Sequence, residues 1–141
     1  MRALALDIGD VWTGVAISDP LGITARPYTT LKFDNLFADL AAIVTKEKVS
    51  RIIIGYPQTV RGTESDQTKK VLVIADQIAA QFPQITCTLL DERFTSQQAA
   101  RLKKATSKEA KLEQHAVAAA LILKSFLDHM HFEAQDTNVH D

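Results

Sequence analysis

Three carboxylates and an arginine stand where their types and spacing could do chemistry. The run LALDIGDVWTGVAISD, residues 4–19, sets Asp7 at the end of an apolar stretch with Gly9 two positions on. The run TLLDERFTS, residues 88–96, puts Asp91, Glu92 and Arg93 at the end of another. A carboxylate on a strand that otherwise reads as buried costs several kcal/mol or gives up its charge unless it finds a partner. Asp7 therefore needs a metal, a cation or a donor-rich loop such as the turn around Gly9. Two acidic strand ends from separate parts of one chain point to a shared cation. Hard divalent ions take oxygen ligands, and Mg²⁺ characteristically uses one or two carboxylates, leaving its other positions to water and substrate phosphate. Ions paired about 3.5–4 Å apart activate an attacking water and stabilise a leaving oxygen in phosphodiester hydrolysis. Arg93 either holds a scissile phosphate or pairs with Asp91.

These residues need strands to carry them, and the pattern supplies five. Arg2 to Asp7, Thr13 to Ser18 and Thr24 to Leu31 read as strands joined by turns at Gly9-Asp10 and Asp19-Pro20-Leu21-Gly22, a three-strand antiparallel meander. Asp34 then reads as the cap of a helix whose buried stripe is Leu36, Phe37, Leu40, Ile43 and Val44. Ile52 to Ile54 is a fully apolar run of the kind a central parallel strand shows, closed by Gly55-Tyr56-Pro57. Thr63 with Asp66 loosely fits a capping box for a second helix along Val71, Ile74, Ile78 and Phe82, ended by Pro83. Ile85 to Leu90 is the fifth strand. Thr95 with Gln98 opens a short helix, and Thr106 with Glu109 opens a last one running to about His131. The order implies an α/β fold, a mixed sheet of an antiparallel meander followed by parallel strands, with helices on both faces. It matches the RNase H-like fold. In such sheets ligand sites gather beyond the carboxyl ends of the strands, where Asp7 and Asp91-Glu92 stand.

A chain of 141 residues with 46% apolar and 23% charged residues is an ordinary globular domain. Residues 1–131 read as one domain and 132–141 as a flexible C-terminal tail. The longest apolar runs fall far short of the roughly 20 residues that cross a bilayer, and no signal-peptide profile opens the chain, so the expectation is a cytoplasmic protein with no membrane partner. The single cysteine, Cys87, sits in an alternating run and reads as a small buried strand residue rather than a reactive thiol. A net charge of −1 means that any nucleic-acid binding rests on local basic groups. Lys69, Lys70, Arg101, Lys103 and Lys104 are either solvated helix faces or such groups.

Four stretches in order, LALDIGDVWTGVAISD, IIIGYPQTVRGTESDQTKKV, LLDERFTS and HAVAAALILKSFLD, resemble the bacterial YqgF-type family, described both as pre-16S rRNA nucleases and as Holliday junction resolvases. The resemblance implies an RNase H-like fold, a cytoplasmic setting and metal-dependent hydrolysis of nucleic acid, either pre-rRNA or branched DNA, with Mg²⁺ or Mn²⁺. It places the acids on Asp7 and on Asp91-Glu92, and substrate contacts on Arg93, Thr95, Ser96 and Arg61. Two departures stand out. Val11 and Trp12 occupy the places of a basic pair, and His115 stands where the third acid is expected, before Ala118 and Ala119. An imidazole can bind a divalent ion but suits softer metals than Mg²⁺. The expected metal ligands are thus Asp7, Glu92 and His115, with His115 as a bare helix-start residue the alternative. Glu113, two residues from His115, is turned about 200° around a helix and is no substitute. The same offset separates His129 from His131. Trp12 reads as packing or as a platform for an unpaired base.

Three function classes follow: a metal-dependent nuclease, a nucleic-acid-binding protein silenced by His115, and an actin-like phosphotransferase suggested by Asp7-x-Gly9 before Thr13-Gly14. A resolvase would cut two strands symmetrically and so would act as a homodimer.

Overall fold

The computed structural model describes residues 1–56, 66–91 and 107–139, with side chains through Glu133. Arg61, Thr63, Glu92, Arg93, Thr95, Ser96, Gln98 and Thr106 lie outside the described residues, as do Arg101, Lys103 and Lys104.

The five expected strands are present: β1 (Ala3–Ile8), β2 (Trp12–Ser18), β3 (Ala25–Lys32), β4 (Arg51–Tyr56) and β5 (Thr86–Asp91). They form one sheet in the order β3-β2-β1-β4-β5. β1 pairs antiparallel with β2, and β2 with β3, while β1 with β4 and β4 with β5 run parallel. The helices are α1 (Leu36–Glu47), α2 (Asp66–Gln81) and α3 (Lys108–Val139).

Strand alternation gives the sheet two unlike faces. Leu4, Leu6, Ile8, Val15, Ile17, Ile52 and Ile54 face α1 and α2, where Leu36, Leu40, Ile43, Val71, Ile74 and Ile78 complete a core of large aliphatic side chains. The opposite face is built from Ala3, Ala5, Ala16 and Ile53, and α3 lays Ala119, Ile122, Leu123, Phe126 and Leu127 on it at helical spacing. Small residues on that face let α3 approach closely. The approach is tightest at Gly14, where a Cβ would fall on the His115 carbonyl and 2.8 Å from the Ala116 amide nitrogen.

Three element boundaries differ from the sequence reading. Asp34 does not cap α1: residues Phe33–Asn35 form a single 3₁₀ turn, and Asn35 takes the cap position without a side-chain bond. Asp34 lies instead 4.0 Å from Lys32 Nζ. α3 is capped by Ser107, whose Oγ accepts the Ala110 N–H at 3.0 Å. Its far end continues past His131 to Val139 because no Gly or Pro interrupts residues 107–139, and His129 pairs with Glu133 at 3.1 Å one turn on. Cys87 is half-buried and burial pushes its thiol pKa up, in keeping with a strand residue that is not a nucleophile.

One core polar group has no partner among the described residues. Thr13 Oγ1, on the face of large side chains, is fully buried and unbonded. Replacing Thr13 with Val removes that hydroxyl, and chemical denaturation should show a gain of about 1 kcal/mol. A loss of stability would mean that the hydroxyl is bonded.

Candidate functional site

Asp7 is the seventh residue of a chain whose first strand alternates large and small side chains, so it falls on the α3 face with Ala3 and Ala5. Its lateral neighbours are both glycines: Gly14 of β2 on one side and Gly55 of β4 on the other. No side chain therefore crowds the carboxylate from within the sheet. The turn around Gly9 does not satisfy it through the Gly9 amide, which donates to Trp12 O at 2.9 Å. Among the described residues the half-buried Asp7 carboxylate makes no hydrogen bond or ion pair. That leaves it open for a cation.

His115 comes to the same place from the far end of the chain. The α3 backbone rests on Gly14 at His115, and the His115 Cε1 lies 3.9 Å from where a Cβ on Gly9 would stand. The imidazole is thus brought to the Asp7-x-Gly9 loop. A side chain on Gly9 would also meet Trp12 O at 2.8 Å, so glycine is needed for the turn and leaves room for the ring. Glu113 goes elsewhere. It lines a groove of about 550 Å³ between β3 and α3 with Pro27, Tyr28 and Thr30, as its angular offset from His115 requires.

Asp91 ends β5 opposite Tyr56 of β4, while Leu90 lies opposite Gly55 and packs in the α3 core. Alternation therefore puts Asp91 on the face opposite Asp7. Glu92, Arg93, Thr95, Ser96 and Arg61 lie outside the described residues, and among the described residues no three His, Cys, Asp or Glu side chains form a cluster fit for a metal. His129 and His131 do not come together: one pairs with Glu133, and the other lies 3.2 Å from Gly22 O through Nε2.

The first turns of α2 hold the β1–β2 loop. Gln67 Nε2 donates to Ile8 O at 3.1 Å, and Lys70 Nζ donates to both Asp10 O and Asp10 Oδ1 at 3.3 Å. From the sequence Lys70 reads as a solvated or phosphate-facing cation, and the structure instead ties it to Asp10. The signal for this tether, an acid next to the Asp7-x-Gly9 turn, is there in Asp10. Among the described residues no helix is long and apolar enough to cross a membrane.

Comparison with known proteins agrees with this architecture. A family model described as "RuvX: Holliday junction resolvase" matches residues 1–129. A protein of Sulfurihydrogenibium sp. (strain YO3AOP1) named "Putative pre-16S rRNA nuclease" is 36% identical over 140 residues, covering 97% of each chain. A protein of Dictyoglomus turgidum with the same name is 33% identical over 141 residues, covering 96% of this chain and 99% of its own. Among solved structures, T. thermophilus RuvC in complex with a Holliday junction substrate is similar with a TM-score of 0.60 at 13% identity, covering 92% of this chain and 96% of that one. The Fowlpox virus resolvase, bound to Holliday junction DNA, is similar with a TM-score of 0.50 at 15% identity, covering 96% and 99%. These likenesses show the fold, which is the RNase H-like mixed sheet. With a family model spanning residues 1–129 and relatives above 30% identity along nearly the whole length, the chain belongs to the RuvX, or YqgF-type, family.

Proposed function

We propose that this protein is a metal-dependent nuclease that hydrolyses phosphodiester bonds of nucleic acid in the cytoplasm, with precursor 16S rRNA as its substrate. The observation that carries the proposal is Asp7: an unpaired carboxylate between two glycines at the carboxyl end of a central strand, with an imidazole brought beside its loop. The names of the full-length relatives favour pre-rRNA. The family description favours branched DNA instead, and that reading requires a homodimer making two symmetric cuts.

The ligands fit a divalent ion of the Mg²⁺ or Mn²⁺ kind. Asp7 and Glu92 supply carboxylate oxygen and His115 an imidazole nitrogen. Asp91 is turned to the face opposite Asp7, so we assign the second carboxylate ligand to its neighbour Glu92. A bound ion would offset phosphate charge and lower the cost of deprotonating water. The chain itself brings His115 to the Asp7 loop by laying α3 on Gly14, and fixes the loop after Asp7 through Gln67 and Lys70. Arg93, Thr95, Ser96 and Arg61 are assigned to the substrate phosphates, with Asp91 orienting Arg93.

The deciding experiment is cleavage of a labelled RNA carrying the precursor 5′ leader of 16S rRNA, beside a four-way DNA junction, in Mg²⁺ and in Mn²⁺. Cutting of the RNA alone supports the proposal, cutting of the junction alone moves it to the resolvase, and cutting of neither with the RNA still bound leaves a nucleic-acid-binding protein. His115 gives a readout independent of turnover. His115→Asp replaces the nitrogen ligand by oxygen, so the ratio of Mn²⁺ to Mg²⁺ affinity, measured by metal-induced thermal stabilisation, should fall about tenfold. An unchanged ratio would remove His115 from the ligand set.

A further inference from the structure

The loop beside Asp7 carries an apolar and aromatic rim that metal binding does not use. Val11 is 51% exposed and Phe33 36% exposed, and the two are joined by a hydrogen bond from the Phe33 N–H to Val11 O at 2.8 Å. Trp12 is half-buried. It stands two residues before Gly14 on β2, so it shares Asp7's face, and it lies opposite Lys32 in the β2–β3 register. The Lys32 ammonium projects into solvent, with the Asp34 carboxylate no nearer than 4.0 Å. On the other side of the loop, Lys70 Nζ sits 5.4 Å from the centre of the Phe33 ring while it bonds Asp10.

Aromatic faces set beside ammonium groups match one kind of ligand particularly well. An unpaired nucleotide offers a bare π face to a ring and a phosphate to an ammonium, whereas in a duplex those π faces are already covered by neighbouring bases. Lysines alone would bind either form. A partly exposed ring beside a phosphodiester site discriminates between them.

We infer that Trp12, with Lys32 opposite it and the Phe33 ring across the loop, is a stacking site that selects nucleic acid whose nucleotides next to the Asp7 site are single-stranded. The inference rests on the nuclease reading for the identity of the neighbouring site, but binding to the stacking site needs no metal.

The chain has one tryptophan, so its emission reports on Trp12 alone. The test titrates an unstructured RNA of about 12 nucleotides, and a duplex of equal length, into the protein in EDTA. The single strand should quench the emission saturably and bind at least about tenfold more tightly than the duplex. Trp12→Leu should weaken single-strand binding about tenfold and leave duplex binding unchanged. Phe33→Leu, which spares the sheet, should weaken it in the same direction by a smaller factor. Equal affinity for strand and duplex, or single-strand binding with no change in emission, overturns the inference. Quenching without cleavage in any metal would instead remove the nuclease reading and leave the stacking site in place.

Discussion

Asp7→Asn should abolish metal-dependent cleavage while leaving the protein folded. Asparagine keeps the shape of the side chain and removes its charge, and the two glycines that flank position 7 mean that no packing contact within the sheet is lost. The half-buried carboxylate has no hydrogen bond or ion pair among the described residues, so neutralising it leaves no partner stranded. Stability in EDTA should therefore change by no more than about 0.5 kcal/mol, and a small gain is as consistent as a small loss. The metal response should change completely. A ligand that binds only the native state stabilises it by about 2.7 kcal/mol at a hundred times its dissociation constant, and that increment should vanish in the variant. Cleavage should fall by at least about a hundredfold, equivalent to about 2.7 kcal/mol of transition-state stabilisation. A variant that keeps more than about a tenth of wild-type turnover at saturating Mn²⁺ would show that Asp7 is not a ligand. A variant that melts far below wild type in EDTA would show that the carboxylate is structural, and the loop around Gly9 would have to be read again as its donor.

The parts of this site that were legible from the residues are those set by local pattern. An acid in the apolar run Leu4 to Ile8 marks a strand end that needs a partner, and alternation alone assigns Asp7 to the face of Ala3 and Ala5. The continuous apolar run Ile52 to Ile54 likewise marks a strand covered on both sides, and both cores do meet there. What local pattern left open is parity at a strand's last residue. Asp91 and Glu92 are adjacent acids, and shifting one position exchanges the two faces of the sheet, so the face of Asp91 is known only from the pairing of Leu90 with Gly55. Helix ends were ambiguous for a similar reason. Asp34 and Asn35 are both good capping residues, as are Thr106 and Ser107, and neighbouring candidates of equal chemistry are decided by how the chain enters the helix. The placement of His115 came from the resemblance, since nothing local to residues 107–123 says that this turn of α3 lies over the loop of residues 7–9. That depends on Gly14, whose partner in space is distant in sequence.

Gly14 is where the fold and the site are coupled, and Gly14→Ala should damage both. The added methyl would collide with the His115 carbonyl group and with the Ala116 nitrogen, 2.8 Å away. These are backbone atoms in the middle of a continuous helix, so no rotamer change relieves the overlap and α3 must lift from the sheet. Overpacking of this kind typically costs about 1–3 kcal/mol and sometimes more, and the upper end applies here because the moving element buries Ala119, Ile122, Leu123, Phe126 and Leu127. Urea denaturation should show a loss of about 3 kcal/mol. The nature of the collision supplies a sharper test. If a side chain were in the way, trimming it would rescue the variant. Because the obstacle is main chain, Gly14→Ala with His115→Ala should be no more stable than Gly14→Ala alone, and a double-mutant cycle should show no favourable coupling in stability. Recovery in the double variant would place the clash on the imidazole. Metal binding gives the functional half of the prediction. Lifting α3 carries the His115 ring away from the Asp7-x-Gly9 loop, so the folded fraction of Gly14→Ala should bind Mn²⁺ as weakly as His115→Ala does, although residue 14 offers no ligand of its own. Wild-type Mn²⁺ affinity in that fraction would mean that the helix position and the metal site are independent.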